Sequence, residues 1–212
     1  MPLIENNIYT RPKWLFSGHL ETIYPSLFRK VVAPIPVKER ILTTDGDFLD
    51  LDWYRQNKSK LVIISHGLEG NSTRAYMLGM VNSFLKNGYD VLTWNFRSCS
   101  DEMNKQVIFY HSGATYDLDL VVKHGYDSYE EINLVGFSLG GNLILKYLGE
   151  KGNSLSKINR GVAISVPLHL GSSSRKISET TNTLYSKRFL RSLKKKVIEK
   201  SDAHPGQIPV VK

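Results

Sequence analysis

The run Ile132–Asn142, Ile-Asn-Leu-Val-Gly-Phe-Ser-Leu-Gly-Gly-Asn, constrains the fold more than any other part of the chain. A short apolar stretch passes through a glycine-flanked turn into an apolar segment with helical spacing, Asn142–Gly149. A strand that becomes a helix within so few residues strains the residue at the turn. Gly136 and Gly140 flank it and leave no side chains where the two backbones must pass closely. A strand of continuously apolar residues is buried on both faces, which is the habit of parallel sheets.

The rest of the chain follows that lead. Leu61–Ser65 is another short, wholly apolar strand, followed by a Gly-rich turn, His66-Gly67-Leu68-Glu69-Gly70-Asn71-Ser72. Thr73–Asn87 has one apolar face at helical spacing, Tyr76, Met77, Met80, Val81, Phe84 and Leu85, and Asn87-Gly88 closes it as a C-cap. Asp90–Phe96 is a buried strand, Tyr116–His124 a helix, Tyr129–Val135 the strand before the turn, and Lys157–Val166 a last apolar strand ending at Pro167. Repeated strand–loop–helix order implies a mostly parallel sheet with helices on both faces. Upstream, Glu39–Thr43 and Phe48–Tyr54 flank Thr44-Asp45-Gly46-Asp47 and form an antiparallel hairpin. In its second strand Leu49, Leu51 and Trp53 alternate with Asp50 and Asp52, so the aspartates read as a solvated face rather than a metal site. The aromatic segment Trp14–Phe28 is expected to pack on the core, and Val31–Val37, with Pro34 and Pro36, to run extended. After Pro167, Gly171–Ser174 reads as a flexible link. Tyr185–Lys200 is a basic amphipathic helix with Phe189, Leu190, Leu193, Val197 and Ile198 on one stripe. His204-Pro205-Gly206 and Val210-Val211-Lys212 read as tail. The division is a core over 1–170 and the start of a lid with its tail over 171–212.

Gly136-Phe137-Ser138-Leu139-Gly140 is a G-x-S-x-G pattern between strand and helix, the arrangement of a nucleophile elbow. It makes Ser138 the candidate nucleophile and the amide of Leu139, at the helix start, a candidate oxyanion donor. The amide of Leu68, in the turn after Leu61–Ser65, is the candidate second donor. His66 is assigned to propping that turn, His19 to structure, and Cys99 to the interior, since only Arg97 stands near enough in sequence to lower its pKa.

Charge excludes one class of function. Residues 1–172 hold 18 Lys+Arg and 17 Asp+Glu, whereas 173–212 hold 10 and 3. A near-neutral body carries no basic stripe, so no nucleic-acid partner is expected. The basic helix over 185–200 suits a lid better than contact with an acidic membrane surface. No apolar run is long enough to cross a membrane, Met1–Arg11 has no signal-peptide pattern, and Cys99 is the only cysteine, so a cytoplasmic location is expected. No Cys/His cluster has ligand spacing, so no metal and no cofactor are expected.

The motifs together resemble the YheT-like, carboxylesterase-type branch of the α/β-hydrolases. The resemblance runs over nearly the whole chain. It rests on Gly18-His19-Leu20-Glu21-Thr22, Thr44-Asp45-Gly46-Asp47, Ser65-His66-Gly67-Leu68-Glu69-Gly70, Asn95-Phe96-Arg97, Tyr110-His111-Ser112-Gly113-Ala114-Thr115-Tyr116-Asp117-Leu118 and Gly136-Phe137-Ser138-Leu139-Gly140-Gly141-Asn142. It implies the α/β-hydrolase fold, a serine nucleophile at Ser138, an oxyanion loop after Leu61–Ser65 and a helical lid. It also implies hydrolysis of a small-molecule or lipid ester with an apolar acyl part. His169 stands where the family suggests an acidic residue. In that family the acid and the histidine of the triad follow the lid. Here His169 follows its strand too soon, His204 lies near the end, and Glu179, Glu199 and Asp202 have no supporting strand. The expectation is a chain truncated at its C-terminus, without the last strands and without an assignable general base. The alternative to an active esterase is a non-catalytic remnant or interaction protein.

Overall fold

The computed structural model describes residues 9–152 and 154–208. Residues Val210–Lys212 and the start of Met1–Arg11, for which a tail and the lack of a leader are expected, lie outside the described residues.

The chain opens with α1 (Gly18–Phe28), started by Ser17, whose hydroxyl accepts the amide of Leu20. The hairpin follows as β1 (Val37–Leu42) and β2 (Phe48–Tyr54). Three strand–helix units come next: β3 (Lys60–Ser65) with α2 (Ala75–Lys86), β4 (Asp90–Trp94) with α3 (Thr115–Tyr126), and β5 (Glu131–Phe137) with α4 (Leu139–Lys151). Then come β6 (Ile158–Ile164), α5 (Leu170–Ile177), a 3-10 turn at Thr180–Asn182 and α6 (Thr183–Ala203). The sheet order is β1-β2-β4-β3-β5-β6. β2 is antiparallel to both neighbours, and β4, β3, β5 and β6 run parallel. This is the mixed, mostly parallel sheet expected of the α/β-hydrolase fold.

Alternate residues of the central strands face two separate cores. Leu61, Ile63, Leu92, Ile132 and Leu134 point to the side covered by α3 and α4, where Leu118, Val121, Leu143 and Tyr147 meet them. Val62, Ile64, Val91 and Val135 point to the side covered by α2, through Met77, Val81 and Leu85. Burial on both faces explains why these strands are continuously apolar.

The loop after β4 is tied to the hairpin by a buried charge cluster. Arg97 donates to both carboxylate oxygens of Asp117, each at 2.8 Å, and to Asp45 at 2.7 Å. Asp45 is held down at about 2 by the guanidinium of Arg97. Asp47 accepts from the amides of Lys105 and Gln106 and from Asn104, so the Asp-Gly turn is a docking point as well as a reversal.

Several expectations are corrected. β2 is not wet on one face: Asp52 is buried, and Asp50 is covered by Arg40 at 2.7 Å, because β2 lies between β1 and β4 under long side chains. The aromatic segment does not pack into the core: Leu15 is buried, but Trp14, Phe16, Leu27 and Phe28 are exposed and α1 buries no residue. Gly171–Ser174 is helical within α5, since the imidazole of His169 accepts the amide of Ser172 and caps it. The apolar stripe of α6 is split, with Phe189, Leu193 and Val197 half-buried. Leu190 and Ile198 are exposed, whereas Lys200 is wholly buried and donates to the carbonyls of Gln106 and Ile108. His204-Pro205-Gly206 forms a turn closing α6, with the amide of Gln207 donating to the carbonyl of His204.

Candidate active site

β5 ends at Phe137 and α4 begins at Leu139, so the whole reversal falls on Ser138. Its backbone adopts φ +50°, ψ −114°, a conformation that side chains other than hydrogen rarely take. The surroundings hold it there. The Ser138 amide donates to the carbonyl of Ile164 at 2.8 Å, and its carbonyl accepts the amide of Asn142 at 3.0 Å. A Cβ on Gly140 would collide with the carbonyl oxygens of His66 and Ser65, and one on Gly136 with the backbone of Gly140 and Gly141. Both glycines are therefore steric requirements of the crossing. A Cβ on Gly67 would lie 3.3 Å from the Cβ of Ser138, so the loop after β3 runs directly past the serine.

That loop is pinned on both sides of Leu68. The amide of Gly67 donates to the Tyr76 hydroxyl and that of Glu69 to the Tyr110 hydroxyl, each at 3.0 Å. The amide of Leu68 between them has no acceptor among the described residues, and neither has that of Leu139, the first residue of α4. Two backbone donors are thus left without protein acceptors, one on each side of the Ser138 turn. Sequence reading missed the part of Tyr76 and Tyr110. Tyr76 was legible only as part of the apolar face of α2, and its hydroxyl bond to Gly67 gives no local signal.

His66 is the hub beneath the loop. It is fully buried; Nε2 accepts the amide of Phe96 at 3.1 Å, which leaves Nδ1 to donate to the carbonyl of Gly67 at 2.7 Å. Desolvation lowers its pKa to about 4, so the ring stays neutral and both nitrogens are occupied. Glu69 has φ +54°, and its carboxylate accepts from Tyr110, Ser192 and Lys196, the last at 2.8 Å. Burial opposes its ionisation, but these donors outweigh it and hold the carboxyl below the usual range. α6 is thereby fastened over the loop. Cys99 lies 3.4 Å from Lys196 Nζ, and burial pushes its thiol up to about 11.

Oγ of Ser138 has no hydrogen-bond partner among the described residues. Four further histidines are engaged elsewhere, and the ring of His204, after α6, has no hydrogen-bond partner among the described residues. His19 bonds Tyr185 at 2.8 Å, His111 accepts the amide of Gly113, His124 pairs with Glu39 at 3.1 Å, and His169 caps α5. A cavity of about 410 Å³ opens beside the loop, lined by Ile23, Leu68, Tyr76, Tyr185 and Phe189 among others. No helix among the described residues is long and apolar enough to cross a membrane.

Comparison with known proteins gives the family and the fold. The family model described as alpha/beta hydrolase fold matches residues 60–196. The YheT protein of Escherichia coli (strain K12) is 34% identical over 199 residues, covering 91% of this chain and 58% of that protein. Abhydrolase domain-containing protein 2 of Drosophila melanogaster is 34% identical over 153 residues, covering 67% of this chain and 38% of that one. Among solved structures, the Pyrococcus furiosus esterase Pf2001 superimposes with a TM-score of 0.60 at 26% identity, covering 76% of this chain and 68% of that one. The chain spans about half the length of the curated relatives it matches.

Proposed function

This chain belongs to the α/β-hydrolase family, and from that premise we propose that it is a serine hydrolase of carboxylesterase type with Ser138 as nucleophile. The observation that carries the reading is the strained Ser138 turn with two backbone amides, Leu68 and Leu139, lacking protein acceptors on either side. Attack of Oγ on an ester carbonyl generates a tetrahedral oxyanion. Amides already oriented for it stabilise that charge without reorganisation, and losing one such donor typically costs about 10²–10³ in kcat. Collapse expels the alcohol and leaves an acyl group on Ser138, which water then removes. The apolar lining of the adjacent cavity, Ile23, Leu68 and Phe189, suits an apolar acyl part, whether the ester is a small molecule or a lipid. A base that takes the proton of Oγ must approach from outside the present partners of the serine.

A second reading, a non-catalytic member of the family, is favoured by that same point: Oγ is unpartnered, and His66 has both ring nitrogens occupied. One experiment separates the two. A fluorophosphonate probe labels only an activated serine. The esterase reading expects labelling of the folded chain that vanishes in Ser138→Ala. Absence of labelling in a chain with a cooperative unfolding transition leaves the non-catalytic reading standing.

A further inference from the structure

The cavity beside Leu68 is bordered by Arg29, which follows α1, by Arg74 at the start of α2, and by Arg188 of α6. None of the three has an acidic partner among the described residues. Arg74 donates to the carbonyl of Glu69 at 3.3 Å and Arg188 to the hydroxyl of Ser26 at 3.2 Å, while the guanidinium of Arg29 lies against Gly79. The only carboxylate on the cavity wall is Glu69, and Lys196, Ser192 and Tyr110 already occupy it. The wall therefore carries an uncompensated positive charge.

Helix α2 adds to it. It begins at this wall, its N-cap is Arg74, no side chain caps it, and its first turn holds no acid. Free amides and the positive end of the helix dipole thus face the same space as the three guanidinium groups. Like charges gathered at a positive helix end are unfavourable in the empty protein and become favourable around an anion. Leu68, which offers the free amide beside Ser138, lies on the same wall. An anion seated here lies beside the loop whose Gly67 passes directly by the serine.

We propose that the ester taken by this site carries an anionic group, of phosphate or carboxylate type, held by Arg29, Arg74, Arg188 and the N-terminus of α2. The proposal rests on the esterase reading for the position of the ester, but it is tested by binding alone. The group serves as an orienting handle: fork-shaped guanidinium donors fix its direction and so fix the distance from it to the scissile carbonyl. It arrives either on a soluble ester or on a lipid headgroup.

The test uses the full chain carrying Ser138→Ala, so that no turnover is needed. Binding is measured for octanoyl-glycerol 3-phosphate below its micelle concentration, for uncharged octanoyl-glycerol, and for vesicles of phosphatidylcholine with and without phosphatidate. The expected result is a preference of about tenfold for the phosphate ester over its neutral counterpart, competed by inorganic phosphate and reduced by salt. In R29Q/R74Q/R188Q it falls to within about twofold, and in R188K it is reduced, because the ammonium keeps the charge and loses the fork. All three positions are exposed, so the variants fold. Preference for phosphatidate vesicles that is lost in the triple variant assigns the handle to a lipid headgroup. Equal binding of the two soluble esters, or a preference that survives the triple substitution, overturns the proposal. Fluorophosphonate labelling of the unsubstituted chain tests the esterase reading by itself, so failure of the anion preference is distinct from failure of that reading.

Discussion

The sheet around Ser138 and the layer formed by α1, α5 and α6 are built on different principles. In the first, β3, β4 and β5 are buried on both faces, and α4 passes the end of β3 at Gly140 and β5 at Gly136 so closely that neither glycine admits a side chain. In the second, α1 and α5 bury no residue, and α6 buries only Lys200. That layer is fastened by polar points: Lys196 to Glu69, Lys200 to the carbonyls of Gln106 and Ile108, His19 to Tyr185, and Arg188 to Ser26. Apolar packing is non-directional and stiff in sum, so it can hold a strained serine in place. A layer held by a few hydrogen bonds and ion pairs separates at smaller cost. The lesson is that Ser138 sits on the rigid region and the cavity beside it is bordered by the looser one.

The sharpest way to break this contrast is at the crossing of α4 and β3. Gly140→Ala places a methyl group among the carbonyls of Ser65 and His66, and we expect a destabilisation of about 3 kcal/mol or more, read from urea unfolding. A loss below about 0.5 kcal/mol would mean that the crossing yields easily and that the region is not stiff.

The next effect is the pH dependence of the same region. His66 is neutral in the fold with its pKa depressed to about 4, whereas in the unfolded chain it titrates near its ordinary value of 6.5. Between these values the unfolded chain binds more protons, so stability rises with pH across the interval and falls as the pH drops from 6.5 toward 4. The loss approaches about 3 kcal/mol at the acid end. Urea midpoints from pH 7 to 4 check it, and a flat profile would show that the ring is hydrated rather than buried. Glu69 acts in the same direction on the cover but at lower pH. Its depressed carboxyl contributes above its unfolded value of 4.5, and the contribution is lost as the pH falls through the lower folded value.

The smallest effect addresses the fastening of the cover. Lys196→Ala removes the cation from Glu69 and from the neighbourhood of Cys99 while leaving the sheet intact. We expect global stability to change by about 1 kcal/mol and alkylation of Cys99 at neutral pH to accelerate about tenfold, as α6 lifts more often. Unchanged alkylation would mean that Phe189 and Val197 hold α6 by packing, and the distinction between the two regions would dissolve.

Much of the stiff region was legible from contiguous residues. The apolar runs at Leu61–Ser65 and Ile132–Val135 require cover on both sides, and Gly-x-Ser-x-Gly between a strand and a helix can be satisfied only by a tight reversal at Ser138. These are local demands of sterics and burial, complete within a few residues. The loose region was misread where the same local rules were applied. Gly-Ser-Ser-Ser reads as a link, but the amide of Ser172 is recruited by the imidazole of His169 and that of Ser173 by its carbonyl. The stripe Phe189, Leu190, Leu193, Val197 and Ile198 reads as one face, but Leu190 and Ile198 are exposed and the docked side pairs Phe189, Leu193 and Val197 with Ser192, Lys196 and Lys200.

By itself, then, the sequence determined the strand–helix alternation, the hairpin, the Ser138 turn and the family. Only the tertiary structure decided that Tyr76 and Tyr110 pin the loop around Leu68, that Lys200 is buried, that Asp52 lies inside, and that three arginines share one cavity wall. The physical reason is separation along the chain. A strand or a tight turn is specified by neighbours whose spacing sets their geometry, whereas a bond such as Lys196 to Glu69 joins residues 127 positions apart. Its partners are chosen only after the sheet has brought them together.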